Sequence, residues 1–285
     1  MPAAPQPLMG QVLLAVRRHP LAAYFLLAYA FSWGYWLPLA LTGGHLSHFP
    51  GLLGPMLAAL VVTPMVQGRA GLRDLLSRMG RWRVPLRWYV VAAVPVVAGL
   101  LALGGLWVTG GELPSLAQLS TMPGLPAVGW VGVFILALVV NGYGEETGWR
   151  GVAWPRLRER HSLGGAALLL ALPWAIWHAP TFWLDTGMRG FPMLLLPGFF
   201  IGMAAGAVVL GWLYERARCS VLIVALFHAM LNMASATRGT EEFVATVVST
   251  VVIVWAVTIL RAEGRRGSRR EPGPSGHVPM RGAAA

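Results

Sequence analysis

Eight blocks of this chain are apolar and long enough to cross, or nearly cross, a lipid bilayer. They fall at about 22–42, 50–67, 88–109, 127–148, 163–180, 192–213, 220–237 and 242–260. A hydrocarbon core about 30 Å thick takes roughly 20 apolar residues of helix to cross. Backbone groups in lipid must be satisfied within their own segment, which leaves the helix as the structure for such blocks. The predicted fold is therefore all-α: a polytopic integral membrane protein of about eight transmembrane helices. The second and seventh blocks are short and depend on packing or local thinning of the bilayer. The first begins after twenty residues and runs into Leu41-Thr42-Gly43-Gly44, which is not the shape of a cleaved signal peptide. Composition agrees, with 12% charged residues against about 25% for a soluble domain. That excludes a soluble globular enzyme, a disordered protein and a coiled coil.

Charge then tests the spans. The net charge is +11, and all 22 basic residues are Arg. If the N-terminus is cytoplasmic and the chain alternates sides through eight spans, all but Arg189 and Arg238 fall on the cytoplasmic side. This is the asymmetry of the positive-inside rule, so the basic residues act as a topology code, and nucleic acid is not an expected partner. The expected location is the plasma (inner) membrane with both termini cytoplasmic. The chain divides into a cytoplasmic segment at 1–21, a transmembrane domain at 22–260, and an Arg-rich tail at 261–285 expected to be disordered. Residues 68–87 read either as an amphipathic helix in the headgroup layer or as a solvated charged loop. The single cysteine, Cys219, excludes a disulfide framework or a cysteine-based metal cluster.

Ionisable groups inside spans are costly and are functional candidates by default. Here they are few: Asn141, Glu145, Glu146 and Arg150 at the end of the fourth span, His178 in the fifth, and His228 with Asn232 in the seventh. Glu146 and Arg150 stand four residues apart and can pair on one helix face. Glu145 is rotated about 100° from Glu146, so one carboxylate can be tied to Arg150 while the other faces a cavity. Trp174 with His178, and His228 with Asn232, share the four-residue spacing. Taken singly, the Glu146–Arg150 pair reads as structural, and each His as a helix–helix hydrogen bond. The whole set is much harder to explain by packing. A desolvated carboxylate can serve as a general base toward water, a neighbouring His can relay the proton, and a second His with an Asn amide can donate to an oxyanion. Those parts describe attack of water on an amide carbonyl.

The order Glu145-Glu146-x-x-x-Arg150, then Trp174-x-x-x-His178, then His228-x-x-x-Asn232 resembles the CPBP family of CAAX proteases and bacteriocin-processing enzymes. This is also called the Abi or type II CAAX prenyl endopeptidase family. The motif region covers about 125–237. The resemblance implies a type II CAAX protease-like bundle and an intramembrane endopeptidase that cuts near a substrate's C-terminus or beside a leader. It implies Glu145 as base, His178 as its partner, His228 and Asn232 as oxyanion donors, and Glu146 with Arg150 in support. One departure is visible: the second motif usually begins with Phe, and here it is Trp174. Family members have also been described as metalloproteases. Two His and a Glu could hold zinc, but the His residues lie on separate spans and Asn is a poor zinc ligand, so the preferred mechanism requires no cofactor.

Two other classes compete: a transporter or channel using the buried charges as an ion path, and an idle membrane protein serving as an immunity factor or scaffold. The expected partners are the bilayer and a peptide or protein substrate at the membrane. A prenylated substrate would be out of place if the Arg-, Ala- and Gly-rich composition reflects a bacterial source, and leader peptides or membrane-protein tails then fit better. A ruler sets a condition on the site. At 1.5 Å per residue, His178 lies about 20 Å from the cytoplasmic end of its span, His228 about 12 Å, and Glu145 less. The three meet only if the fourth span continues as one helix toward residue 160, or if tilt and Pro173 lower His178. The site is then expected in the cytoplasmic half of the membrane, in a cavity open to water from that side.

Overall fold

The structure is a computed structural model that describes residues 8–43, 46–184, 186, 188–189, 191–240 and 243–268. Helix is the regular structure of these residues, as burial of the backbone in lipid demands. The helices are α1 (Leu8–Arg18), α2 (Pro20–Thr42), α3 (Gly54–Met79), α4 (Arg87–Ala92), α5 (Val94–Val108), α6 (Leu116–Leu119), α7 (129–158), α8 (Leu163–Trp177), α9 (Leu196–Arg216), α10 (Val221–Ser235) and α11 (Phe243–Ser268). Among the described residues, five stretches are long and apolar enough to cross a membrane: Pro20–Thr42, Phe49–Met79, Leu163–Trp183, Met193–Arg216 and Phe243–Arg265. Val94–Val108 and Val221–Ser235 are shorter apolar helices. With α7, they put a helix on every apolar block, and the protein is a multi-pass membrane protein.

The structure differs from the sequence reading at four places. First, α3 does not stop where its apolar block does. Gly68 adopts a left-handed backbone (φ 64°, ψ −162°), which turns the chain sharply, and helix resumes to Met79. Glycine alone enters that region without a Cβ penalty. Second, the segment before the first span contains a helix, α1, whose Arg17 donates to the Met65 carbonyl at 3.1 Å. Third, residues 261–268 are not a separate tail; they extend α11, and Arg216 pairs with Glu263 at 3.1 Å to hold that extension. The rest of the tail lies outside the described residues. Fourth, α7 runs from 129 to 158 without a break, through two π-helical stretches, Ala137–Tyr143 and Trp149–Ala153. The fourth span thus runs past its apolar block, the first of the two arrangements the ruler allowed.

Close helix contact explains three glycines of α7. A Cβ on Gly144 would stand 2.9 Å from the Leu52 carbonyl, one on Gly148 2.6 Å from the Pro55 carbonyl, and one on Gly142 2.6 Å from the Ala225 carbonyl. Small residues four apart allow backbones to approach in lipid, where packing, rather than water exclusion, holds helices together. Thus α7 is pressed between α3 and α10.

The arginine-bearing ends collect at one end of the bundle. Arg81 donates to the Arg218 carbonyl at 2.6 Å, and Arg158 pairs with Glu215 at 2.6 Å. At the opposite end, Trp36 donates to the His48 carbonyl at 2.7 Å and the Arg238 amide to the Thr121 carbonyl at 2.9 Å.

Candidate active site

The α-helical turn Gly144–Gly148 carries the two carboxylates between the π-helical stretches. π-Turns widen the helix and recur at functional sites. Glu146 and Arg150 pair at 3.0 Å with both side chains fully buried. The same Glu146 oxygen, Oε1, accepts from Nδ1 of His228 at 2.8 Å. Glu145 points elsewhere, as the 100° rotation requires. Its Oε2 accepts from the indole N–H of Trp174 at 2.8 Å and from that of Trp149 at 3.3 Å. Its Oε1 faces Nε2 of His228 at 3.9 Å. Trp174 also lays its ring under the guanidinium of Arg150, 4.4 Å from Cζ to centroid. One indole therefore holds the edge of one carboxylate and the cation that neutralises the other.

His178 ends α8. A helix that stops inside a bilayer leaves its last carbonyls without water. Here side chains take them: Tyr29 donates to the Pro173 carbonyl at 2.5 Å, Trp33 to that of Trp177 at 2.9 Å, and His178 Nδ1 to that of Trp174 at 2.8 Å. A carbonyl only accepts, so His178 carries a proton on Nδ1 and presents Nε2 as the free nitrogen. Its ring lies 6.2 Å from that of Trp174 and 4.8 Å from that of Trp177.

The structure thus joins Glu145, Glu146, Arg150 and His228 by direct contacts, and brings His178 to them through Trp174. Asn232 lies one turn beyond His228 on α10, half-buried, with its side chain unbonded among the described residues. Asn141 makes none of these contacts, and its carboxamide oxygen is buried without a partner among the described residues. The site is closed in this conformation, unlike the open cavity expected. Glu145 is 1% exposed, Glu146 and Arg150 0%, His178 9% and His228 7%. The indoles of Trp149, Trp174 and Trp177 fill the space around the carboxylates and His178.

Two contributors had escaped the sequence reading. Trp149 stands four residues after Glu145, a spacing that could have flagged it. Tyr24 gave no such signal; it is fully buried, its ring meets that of Trp149 edge-on at 5.7 Å, and its hydroxyl abuts the backbone at Gly148. A zinc site fits poorly: among the described residues no three His, Cys, Asp or Glu side chains converge as a metal ion requires.

The site is a cluster of buried carboxylates and imidazoles in contact, set inside a multi-pass helical bundle. Residues 127–234, the stretch holding both carboxylates, Arg150, both imidazoles and Asn232, match the family model described as type II CAAX prenyl endopeptidase Rce1-like. Over 264 residues the chain is also 24% identical to CAAX prenyl protease 2 of Methanococcus maripaludis, across 84% of this chain and 90% of that protein. The chain is thus similar to type II CAAX prenyl endopeptidases over the part that carries the site.

Proposed function

We propose that the protein hydrolyses a peptide bond of a membrane-associated substrate with water activated by Glu145. The observation that carries this reading is the division of labour in the Glu145 carboxylate. Two indole N–H groups hold Oε2, while Oε1 faces the imidazole of His228 without a hydrogen bond. An oriented carboxylate with one free oxygen in a desolvated pocket is a general base.

In the proposed mechanism, Glu145 takes a proton from water as its oxygen bonds to the scissile carbonyl carbon. The tetrahedral oxyanion accepts from Nε2–H of His228 and from the Asn232 amide. His228 needs both nitrogens protonated to do this, and Glu146 supports that state by accepting from Nδ1. Two carboxylates, Arg150 and an imidazolium then cancel in charge, which suits a site deep in the bundle. His178, with Nε2 free, assists proton transfer from Glu145 to the leaving nitrogen, and the C–N bond breaks to give an acid and an amine. No step requires a metal, so chelators are expected to leave turnover unchanged.

The name of the archaeal relative favours cleavage near a lipid-bearing C-terminus, and the Arg-rich end is taken as cytoplasmic. The test compares the membrane proteomes of cells carrying the wild type and Glu145→Ala. New C-terminal or leader fragments seen only with the wild type are expected. Unchanged cleavage of a validated substrate by Glu145→Ala would sink the mechanism.

A further inference from the structure

The segment after Gly68 touches the catalytic helix on both sides of the carboxylates. Arg78 donates through Nη1 to the Gly151 carbonyl at 2.8 Å and to the Tyr214 hydroxyl at 2.6 Å. The Met79 carbonyl accepts from the Tyr143 hydroxyl at 3.0 Å. Tyr143 closes the π-turn just before Glu145, and Gly151 lies in the π-turn just after Arg150. Leu75, fully buried, fills the space against Gly151.

The other face of this segment has no partner of its own kind. Arg69, Arg73, Arg83 and Arg87 are exposed there. The acidic residue within 69–87, Asp74, is already paired with Arg78 at 2.9 Å. Leu76, Trp82 and Leu86 protrude between the arginines, 49%, 60% and 76% exposed. The guanidinium of Arg83 lies over the Trp82 ring at 5.0 Å, and that of Arg87 over Trp88 at 5.2 Å. Arginine beside tryptophan and leucine, at the end of apolar spans, suits the headgroup layer. The charge is complementary to anionic lipid, which attracts each basic residue near the surface.

We propose that residues 69–87 bind anionic phospholipid headgroups, and that this binding sets the geometry of Glu145 and Glu146 through Arg78 and Met79. The catalytic consequence rests on the hydrolase reading above; the binding and its transmission do not. A π-turn holds its register only while neighbours fix it, so two attachments flanking the carboxylates can transmit a local shift.

The test is hydrogen–deuterium exchange of the full-length protein in nanodiscs of phosphatidylcholine, alone or mixed with phosphatidylglycerol. The anionic lipid is expected to slow exchange roughly tenfold at both 69–79 and 143–153. The triple variant R69Q/R73Q/R83Q should lose the difference at both segments. Arg78→Ala should keep it at 69–79 and lose it at 143–153, and Arg78→Lys should restore part of it. Equal exchange of the wild type in the two lipids would overturn the proposal, as would an Arg78→Ala variant that responds like the wild type. The same protection from soluble polyglutamate in neutral discs would overturn the choice of lipid as partner. The readout needs no substrate, so its failure leaves the proteolytic reading standing, and Glu145→Ala should respond to lipid whether or not cleavage is found.

Discussion

Trp174 shows how one residue can carry two contacts that its usual replacement cannot. A Phe at this position would keep the ring beneath Arg150 but lose the N–H to Glu145 Oε2. Trp174→Phe should therefore cost about 1.5–3 kcal/mol of stability, the worth of a hydrogen bond to a charged group, and lower kcat about tenfold by loosening the carboxylate. A fall in melting temperature without a kinetic defect would contradict this. Arg150 answers to a different rule. Removing it leaves the buried Glu146 charge with only the His228 imidazole to meet it, so Arg150→Met should cost about 3–5 kcal/mol of stability. Pairing it with Glu146→Gln should recover much of that loss, which a thermal double-mutant cycle in detergent would measure. The four-residue spacing made this ion pair legible in advance. The contact of Glu146 with His228 was not legible, because the two are 82 residues apart and no local period relates them.

At the scale of elements, α7 determines what the site can be. Its apolar stretch is readable to about residue 148, and its continuation toward 160 is only one of two options the ruler leaves open, because Arg150, Arg156 and Arg158 read as loop charge until partners are seen. Arg156 donates to the Val152 carbonyl at 2.8 Å and Arg78 to that of Gly151, so the π-turn's carbonyls are taken by side chains. The glycine face is equally strict. Gly148→Ala would drive a methyl into the Pro55 carbonyl and the Tyr24 hydroxyl. A loss of about 1–3 kcal/mol follows if the helices must separate, together with activity, since the carboxylates ride on the same turn. Circular dichroism melts and cleavage assays on this variant would show both effects, and wild-type values in either would argue against the close approach.

For the whole molecule, the gathering of arginine-bearing ends gives an orientation test through the lone cysteine. Cys219 sits in the turn between α9 and α10, where Arg218 and Cys219 take left-handed backbones (φ 59° and 57°). The Ser220 hydroxyl donates to the Arg81 carbonyl at 2.6 Å and pins this turn to the Arg-rich segment. A membrane-impermeant maleimide should label Cys219 in inside-out vesicles and not in right-side-out ones. Labelling from the outer face would reverse the assigned topology. Burial pushes the Cys219 thiol up from its usual range, with Arg78 and Arg81 acting in the opposite sense. Less thiolate is present at neutral pH than for a free cysteine, so labelling should be slow there and should keep accelerating to higher pH.

Apolar blocks, arginine placement and four-residue spacings are properties of neighbouring residues, and the sequence by itself determined what depends on them. That covers the helical, multi-pass class, the short roster of buried polar groups, and the pairing of Glu146 with Arg150. Tertiary structure decided the rest: that His228 meets Glu146, that Trp174 and Trp149 hold Glu145, that α7 bends its register twice, and that indoles close over the site. Those outcomes depend on how far each helix extends and how closely its glycines let neighbours approach. Both are settled by packing between residues distant in the chain, where periodicity carries no information.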